Sequence, residues 1–358
     1  MANILYLGNS HPSTTSCHRA NALRRLGHTV KIYDVDEMAC RLAFSKFLEP
    51  IHFRTGYRFL QTKVVKWARR VVAENPETDL IWVNSGDKFG PECMAEFKKR
   101  GVPIILYNND DPTGGRDGGR FNSLLASLPF YDLCVVMREV NVEEFKEKGA
   151  KKVLRVMMSY DEIIHKPFID PADIPQAFRS EVVFIGTWMR HEKRDEFILK
   201  LINSGLPLAI YGERWEKSPY FKDLKHYYRG KGLSGRDYVA AIQGAKICLG
   251  LLSKGNRDLH TQRSMEVPYA GGLLCAERTS EHTELYKEYA EAIFWSDANE
   301  CILVCKQLLA NHKMRNTITA AGKQRANQNK NGNEDVCYQI LKEVNLMERT
   351  DVQLQYIK

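Results

Sequence analysis

The chain has 358 residues, 44% of them apolar and 27% charged, which suits two ordinary globular domains and excludes a disordered, collagenous or coiled-coil chain. Lysine and arginine number 52 against 44 acidic residues, and residues 41–70 hold eight basic side chains against Glu49 alone, so nearly all of the +8 sits in one segment. A nucleic-acid binder spreads its excess more widely, and no nucleic-acid partner is expected. Nine cysteines without paired spacing fit reduced thiols in the cytosol. No apolar run approaches the ~18 residues of a membrane span, and Met1 to Gly8 lacks the basic start of a signal peptide. A cytoplasmic protein, at most peripheral at the inner face of the membrane, is the expectation.

Short β-rich runs alternate with helical patterns, as in a parallel sheet covered by helices. Asn3 to Leu7 reads as the first strand and Ser16 to Leu26 as a helix closed by Gly27. The loop between them lacks G-x-G-x-x-G, which argues against a dinucleotide, but Asn9, Ser10 and His11 are placed to meet an acceptor hydroxyl or an anion. Thr29 to Tyr33 is the second strand, and Asp34-Val35-Asp36 after it suits a turn or a ribose contact better than a metal. Tyr57, Leu60, Val64, Trp67 and Val71 recur at helical spacing among Arg58, Lys63, Lys66, Arg69 and Arg70, predicting a basic amphipathic helix. Its stripe suits core packing, while its charges suit an anionic acceptor, a polyanionic glycan or an acidic membrane surface.

Leu80 to Asn84, Pro103 to Tyr107, Leu133 to Met137 and Val153 to Met157 continue the strands, with helices at Glu92 to Arg100 and Val142 to Lys148. Asn108-Asn109-Asp110-Asp111-Pro112 follows a strand and leads into the glycine-rich Thr113 to Gly119, a position where polar groups meet a substrate. Asn108 is a candidate acceptor contact. Three prolines between His165 and Pro175 read as an interdomain linker.

The alternation then restarts, with strands at Val182 to Ile185, Leu208 to Tyr211, Ile247 to Leu251 and Leu273 to Ala276, and helices at Lys193 to Ser204, Ser234 to Gly244 and Glu281 to Tyr289. From Asn299 the pattern is helical or polar. The fold class is therefore α/β, two doubly wound units whose default site is the cleft they face. Gly186 and Gly212 each end a strand, and Arg190 and Arg194 could neutralise a diphosphate beside a helix N-terminus. The densest constellation runs from Asn256 to Glu284. Asn256, Arg257, Asp258, Thr261, Arg263 and Glu266 lead to Gly271-Gly272, which allows close backbone approach, and then to Arg278. Arg263 and Glu266 share one helix face. Guanidinium groups for phosphates and carboxylates for hydroxyls make up the inventory that a nucleotide-sugar needs. His260 and His282 lack metal-ligand spacing, Cys301 and Cys305 suit a core, and no metal is expected.

The run from Asn256-Arg257 through Arg263-Ser264-Met265-Glu266 to Gly271-Gly272, followed by Ala276-Glu277-Arg278-Thr279 and His282, resembles the CgeB-like (spore maturation protein) branch of the GT-B glycosyltransferases. The resemblance is strongest over residues 182–295; in the first half it rests on Arg24 to Val30 and on Asp110-Asp111-Pro112. It implies two Rossmann-like domains, an acceptor domain over 1–168 and a nucleotide-sugar donor domain over 176–335, with a helical tail, 336–358, crossing back to the first. It also implies no required metal and no cofactor beyond the nucleotide-diphosphate sugar as donor substrate. In the wider retaining group an E-x7-E motif handles the donor; Glu266 matches its second position, which binds the ribose, and Asp258 stands at the first. Charge developing on the leaving diphosphate would be stabilised by Arg263 with Arg190 or Arg194. In an inverting enzyme Asp110 or Asp111 would be the base toward the acceptor hydroxyl. The function expected is transfer of a sugar to a glycan, lipid-linked glycan or protein glycan, as in polysaccharide biosynthesis. A sugar-nucleotide epimerase of similar architecture and a non-catalytic sugar-nucleotide-binding module are the alternatives.

Overall fold

Strands β1 (Asn3–Leu7), β2 (Thr29–Tyr33), β3 (Leu80–Asn84), β4 (Ile104–Tyr107), β5 (Leu133–Val136) and β6 (Val153–Arg155) pair in parallel, in the order β2-β1-β3-β4-β5-β6. The computed structural model describes residues 1–43 and 48–346. Residues 1–112, 117–156 and those from 334 form this first unit. Helices α1 (Thr15–Arg25), α2 (Val35–Leu42), α3 (Glu49–Arg54), α4 (Gln61–Ala73), α5 (Pro91–Lys98), α6 (Asn122–Ser127) and α7 (Glu139–Glu147) make its connections. Strands β4 and β5 are buried throughout, which is why they read as unbroken apolar runs rather than as alternation.

The two faces of this sheet are packed differently. On one, Tyr6, Trp82 and Tyr107 stack across β1, β3 and β4, and the fully buried Arg19 of α1 lies 3.6 Å over Tyr107. On the other, Leu5, Leu7, Ile81 and Val83 meet Trp67 of α4 with Phe89 and Phe97. Burial of each such aromatic contributes about 2 kcal/mol.

The apolar stripe expected of the basic segment is real, since Val64, Trp67 and Val71 are buried on α4. Tyr57, however, has φ 57° and precedes the helix, with Leu60 in the 3-10 turn between. The left-handed residue breaks the helical run there. Lys46 of the segment lies outside the described residues.

The second unit comprises residues 113–116 and 157–333. Its strands are β7 (Ser180–Ile185), β8 (Leu208–Tyr211), β9 (Tyr228–Gly230), β10 (Ala245–Gly250), β11 (Leu274–Glu277) and β12 (Ile293–Trp295), parallel in the order β12-β11-β10-β7-β8-β9. Helices α8 (Arg194–Asn203), α9 (Phe221–Leu224), α10 (Gly235–Gln243), α11 (Gln262–Tyr269), α12 (Ser280–Leu285), α13 (Ala298–Ala310) and α14 (His312–Gln328) cover it. The chain builds outward through β8 and β9, then returns to the other side of β7 with β10. That reversal makes β7 and β10 the switch point, whose carboxyl ends are the natural ligand position in such a sheet.

The Pro-rich stretch 165–175 is held on this unit. Gln243 bonds both the N–H and the carbonyl of Phe168, at 2.8 and 3.1 Å, and Arg236 lies 3.8 Å over the Phe168 ring. Helix α15 (Asn333–Glu343) belongs to the first unit from Glu334 onward, where Glu334 pairs with Arg25 and Glu343 with Lys152. Residues 347–358 of the expected tail lie outside the described residues.

Candidate donor site at the switch point of the second sheet

The loops leaving β7 and β10 are tied together before any ligand is considered. Glu192, after β7, accepts hydrogen bonds from Ser253 Oγ at 3.0 Å, Lys254 N at 2.9 Å and Gly255 N at 3.2 Å, all after β10. Arg194 makes a second tie, donating through Nη1 to the Thr187 carbonyl at 2.9 Å and through Nη2 to the Leu252 carbonyl at 3.0 Å. Arg194 is buried, and burial is the main cause lowering its proton affinity, with Glu192 and Asp258 opposing and Arg263 and Arg116 adding to it. Arg116, from the glycine-rich loop, donates to Ser253 Oγ at 3.0 Å. The field around Arg194 therefore combines three guanidinium groups with the two carboxylates of Glu192 and Asp258.

Arg263 stands apart from these pairings. It lies in the first turn of α11, partly buried, and makes no hydrogen bond or ion pair among the described residues; its Nε is shut off from solvent with no partner. A cation held partly out of water without a counter-charge is costly, and an anionic ligand would remove that cost. Beside it on α11, buried Glu266 accepts from Tyr238 Oη at 2.6 Å and lies 3.5 Å from His165 Nε2. Since His165 Nδ1 accepts from the Asp161 N–H at 2.9 Å, its proton sits on Nε2, facing Glu266. Burial, then the Glu266 charge, pushes the Tyr238 hydroxyl well above its ordinary range, so Tyr238 remains a donor to Glu266.

A buried lattice fixes the start of α11. Thr261 and Ser264 form a reciprocal cap; Ser264 Oγ meets His282 Nε2 at 2.7 Å, and His282 Nδ1 donates to the Glu277 carbonyl at 2.6 Å. Burial pushes His282 down to about 4, with His260 adding to that, so its imidazole is neutral at physiological pH. His260 accepts from Met158 N at 3.0 Å and pairs with Glu281. Both histidines thus serve as scaffolding for the helix that presents Arg263.

The remaining residues of the constellation divide. Asn256 lies in the 3-10 turn after β10, and Arg257, at φ 53°, bonds Thr113 Oγ1 at 3.1 Å. Gly186 and Gly212 end the adjacent strands β7 and β8 so close together that a Cβ on Gly212 would lie 2.0 Å from the Gly186 carbonyl oxygen. Arg190 is exposed in the loop before α8. Gly271 and Gly272 precede β11 and so lie at its amino end, away from this crevice. Gly271, at φ 83°, terminates α11, while Gly272 packs against Ile242 and Cys248. Arg278 is neutralised within the fold: Glu288 accepts from its Nε at 3.2 Å and its Nη2 at 2.7 Å, and Glu300 from Nη1 at 3.1 Å and Nη2 at 2.6 Å. A cavity of about 300 Å³ lies at the carboxyl ends of β10, β11 and β12, lined by Arg194, Lys254, Glu277 and Trp295.

In the first unit the expected acceptor residues are largely engaged by the fold. Asn9 donates to Asp36 at 2.6 Å, Ser10 gives its N–H and hydroxyl to Asp34, both at 2.8 Å, and exposed His11 meets Ser13 Oγ at 2.8 Å. Asp34 caps α2; burial opposes its ionisation, but the N–H bonds from Glu37, Ser10 and Asp36 outweigh it and lower its pKa. Asn108 is wholly buried and donates to the Ser85 carbonyl at 2.7 Å, which joins the β3 and β4 loops. Asp111 is buried and accepts from Asn141 at 2.8 Å, whereas Asp110 is part exposed and pairs with Arg120 at 3.2 Å.

Sequence reasoning missed the network around them. Buried Asp87 lies 3.3 Å from both Lys88 and Arg120, Lys88 reaches Asp36 at 2.8 Å, and Arg120 reaches Asp117 at 3.0 Å. The signal within reach was an arginine after each pair of glycines in 113–120. Among the described residues, Cys275, Cys301 and Cys305 are the only three metal-capable side chains grouped together, their sulfurs within 4.8 Å of one another in the core.

Residues 190–335, which include Arg194, Asp258, Arg263 and Glu266, match a family model described as glycosyl transferase-like. No curated protein sequence matches the chain. Among solved structures, sucrose-phosphate synthase from Thermosynechococcus elongatus is similar at TM-score 0.69 and 13% identity, covering 96% of this chain and 98% of that one. HepE of Anabaena, in complex with UDP and glucose, is similar at TM-score 0.67 and 12% identity, over 97% and 100% of the two chains. MnaA of S. aureus, with UDP, is similar at TM-score 0.58 and 12% identity, over 97% and 98%. Two six-stranded parallel sheets with interleaved helices and likeness across the full length give this chain the GT-B fold.

Proposed function

We propose that the chain is a GT-B glycosyltransferase that holds a nucleotide-diphosphate sugar at the β7–β10 switch point and transfers the sugar to an acceptor hydroxyl. The observation that carries this reading is the unpartnered Arg263 guanidinium beside Arg194 and Arg116, within the stretch that matches the family model. UDP is the first nucleotide to try, because the similar HepE and MnaA structures hold it.

As the anomeric carbon–oxygen bond breaks, negative charge collects on the leaving diphosphate. A guanidinium beside it interacts more strongly with that charge in the transition state than in the ground state. Arg263 is assigned this work, with Arg116, which is tied to Ser253 Oγ, as a neighbouring cation. Arg194, committed to two carbonyls, supplies field rather than contact. Glu266, oriented by Tyr238, is assigned to the ribose hydroxyls and Asp258 to the donor sugar. With guanidinium groups filling the electrostatic role, the transfer is read as metal-independent, and the E-x7-E-like pair of Asp258 and Glu266 favours a retaining outcome.

The finer placement in the CgeB-like branch rests on Arg263 to Glu266 and the double glycine. Asp110 is the better-placed acceptor contact of the two acids, being the one that reaches solvent. A glycan or lipid-linked acceptor near a membrane surface fits the exposed cations Arg58 and Lys66, and a cytoplasmic enzyme fits nine cysteines without paired spacing. No helix among the described residues is long and apolar enough to cross a membrane.

Calorimetric titration with UDP, GDP, dTDP and CMP tests the reading. Binding of one of them that Arg263→Ala weakens supports it; no binding to any of the four sinks it. Product analysis then separates the rivals, since an epimerase returns an isomerised nucleotide-sugar without an acceptor. A donor incubated with acceptor and left intact would leave only a binding module.

A further inference from the structure

A cavity of about 850 Å³ in the second unit lies at the wrong end of the sheet for the donor. It is walled by the amino ends of β7, β8, β10 and β11, including Ser180, Leu208, Ala245 and Leu273, and by one face of α14. Its volume is that of a small-molecule site. Its charge is one-sided. Arg179, Arg229, Lys246 and Arg315 line it, and the carboxylate facing them, Glu181, is already taken by Lys246 at 2.5 Å.

Arg315 is the informative member. It is 7% exposed, and its Nη1 caps the end of α13 by donating to the Leu308 and Leu309 carbonyls. Its Nε and Nη2 have no partner among the described residues, on a side chain that forms part of the cavity wall. A guanidinium set this deep, half used and half open, is a built donor rather than a loose surface charge. Exposed Arg229 has no hydrogen-bond or ion-pair partner among the described residues, and Arg179 gives Nη2 to the Pro171 carbonyl at 2.7 Å, so both have donors to spare. Three forked donors around one cavity match the several oxygens of a phosphoryl group better than they match a single carboxylate.

We infer that this cavity binds a phosphorylated small molecule at a site separate from the donor crevice. The sheet lies between the two, so occupancy of one does not block the other. The proposal does not depend on the chain being a glycosyltransferase.

Inorganic pyrophosphate is the probe, titrated calorimetrically into the full chain at matched ionic strength, with and without saturating UDP. Arg179→Gln/Arg229→Gln is the diagnostic variant, because both side chains are exposed and Arg315 is left to its capping role. One pyrophosphate is expected to bind in the presence of UDP, at least tenfold more weakly in the double variant and unchanged in Arg263→Ala. If UDP itself fails to bind, the pyrophosphate arm still reads this cavity through the double variant. Competition by UDP, loss in Arg263→Ala alone, or equal affinity in the double variant would overturn the proposal.

Discussion

The carboxyl edges of the two sheets handle charge in opposite ways. At the first, both cations, Lys88 and Arg120, are paired within one continuous network with Asp36, Asp87, Asp110 and Asp117. At the second, Glu192 and Arg194 hold the backbone while Arg263 is left without a partner among the described residues. A closed network stabilises the fold and asks nothing of a ligand, whereas an open one gives up stability that binding can restore. The contrast predicts that substitutions at the first edge cost stability and that Arg263 costs affinity.

The strongest attempt to break the contrast is Asp87→Asn. Burial raises the Asp87 pKa, but Lys88 and Arg120 outweigh it and hold the carboxylate ionised. Its loss leaves Lys88 buried with Asp36 alone, and a destabilisation of about 3 kcal/mol is expected in urea unfolding. Little loss would mean that the first edge is not closed after all. Next in size is a pH effect at the second edge. His282 titrates at about 4 in the fold and near 6.5 unfolded, so the unfolded chain takes up the proton first. Its contribution is complete above about pH 6.5 and falls away toward pH 4, by an amount on the order of 3 kcal/mol. In His282→Gln, stability should depend less on pH across that window than in the wild type.

Arg263→Ala should weaken UDP binding by about 10- to 100-fold, the range for a hydrogen bond to a charged group, and leave the melting temperature unchanged or slightly raised. A lower melting temperature with unchanged affinity would reverse the assignment. Arg278→Ala is the matching control. Its partners are part exposed, so about 1 kcal/mol of stability is expected to go, with donor affinity intact. Smallest is Arg58→Gln/Lys66→Gln, expected to leave folding and UDP binding alone and to raise the acceptor KM modestly at low salt; unchanged acceptor kinetics would remove the basic helix from acceptor recognition.

Most of the fold could be read from the sequence because its central strands are buried on both sides and long enough to show it. β9 and β12, three residues each, offer no period to detect. α2 was hidden behind Asp34-Val35-Asp36, whose acids suggested a ligand while Asp34 was capping a helix. In the site, Arg263 and Glu266 were legible because three-residue spacing on a helix is a local fact. The work of Glu192 was not, since its donors lie some sixty residues on. Nor could sequence tell that Glu288 and Glu300 would consume Arg278. Residue types announce chemistry, but only the sheet decides which end they face.

The Glu192 tie has a thermodynamic consequence. Because the N–H groups of Lys254 and Gly255 are already bound, a ligand arriving at the switch point has little backbone left to order. The conformational entropy lost on binding should then be confined to a few side chains, chiefly Arg263, at up to about 2 kcal/mol each. Amide exchange at 254 and 255 should be slow in the free protein and barely slower when the nucleotide is bound.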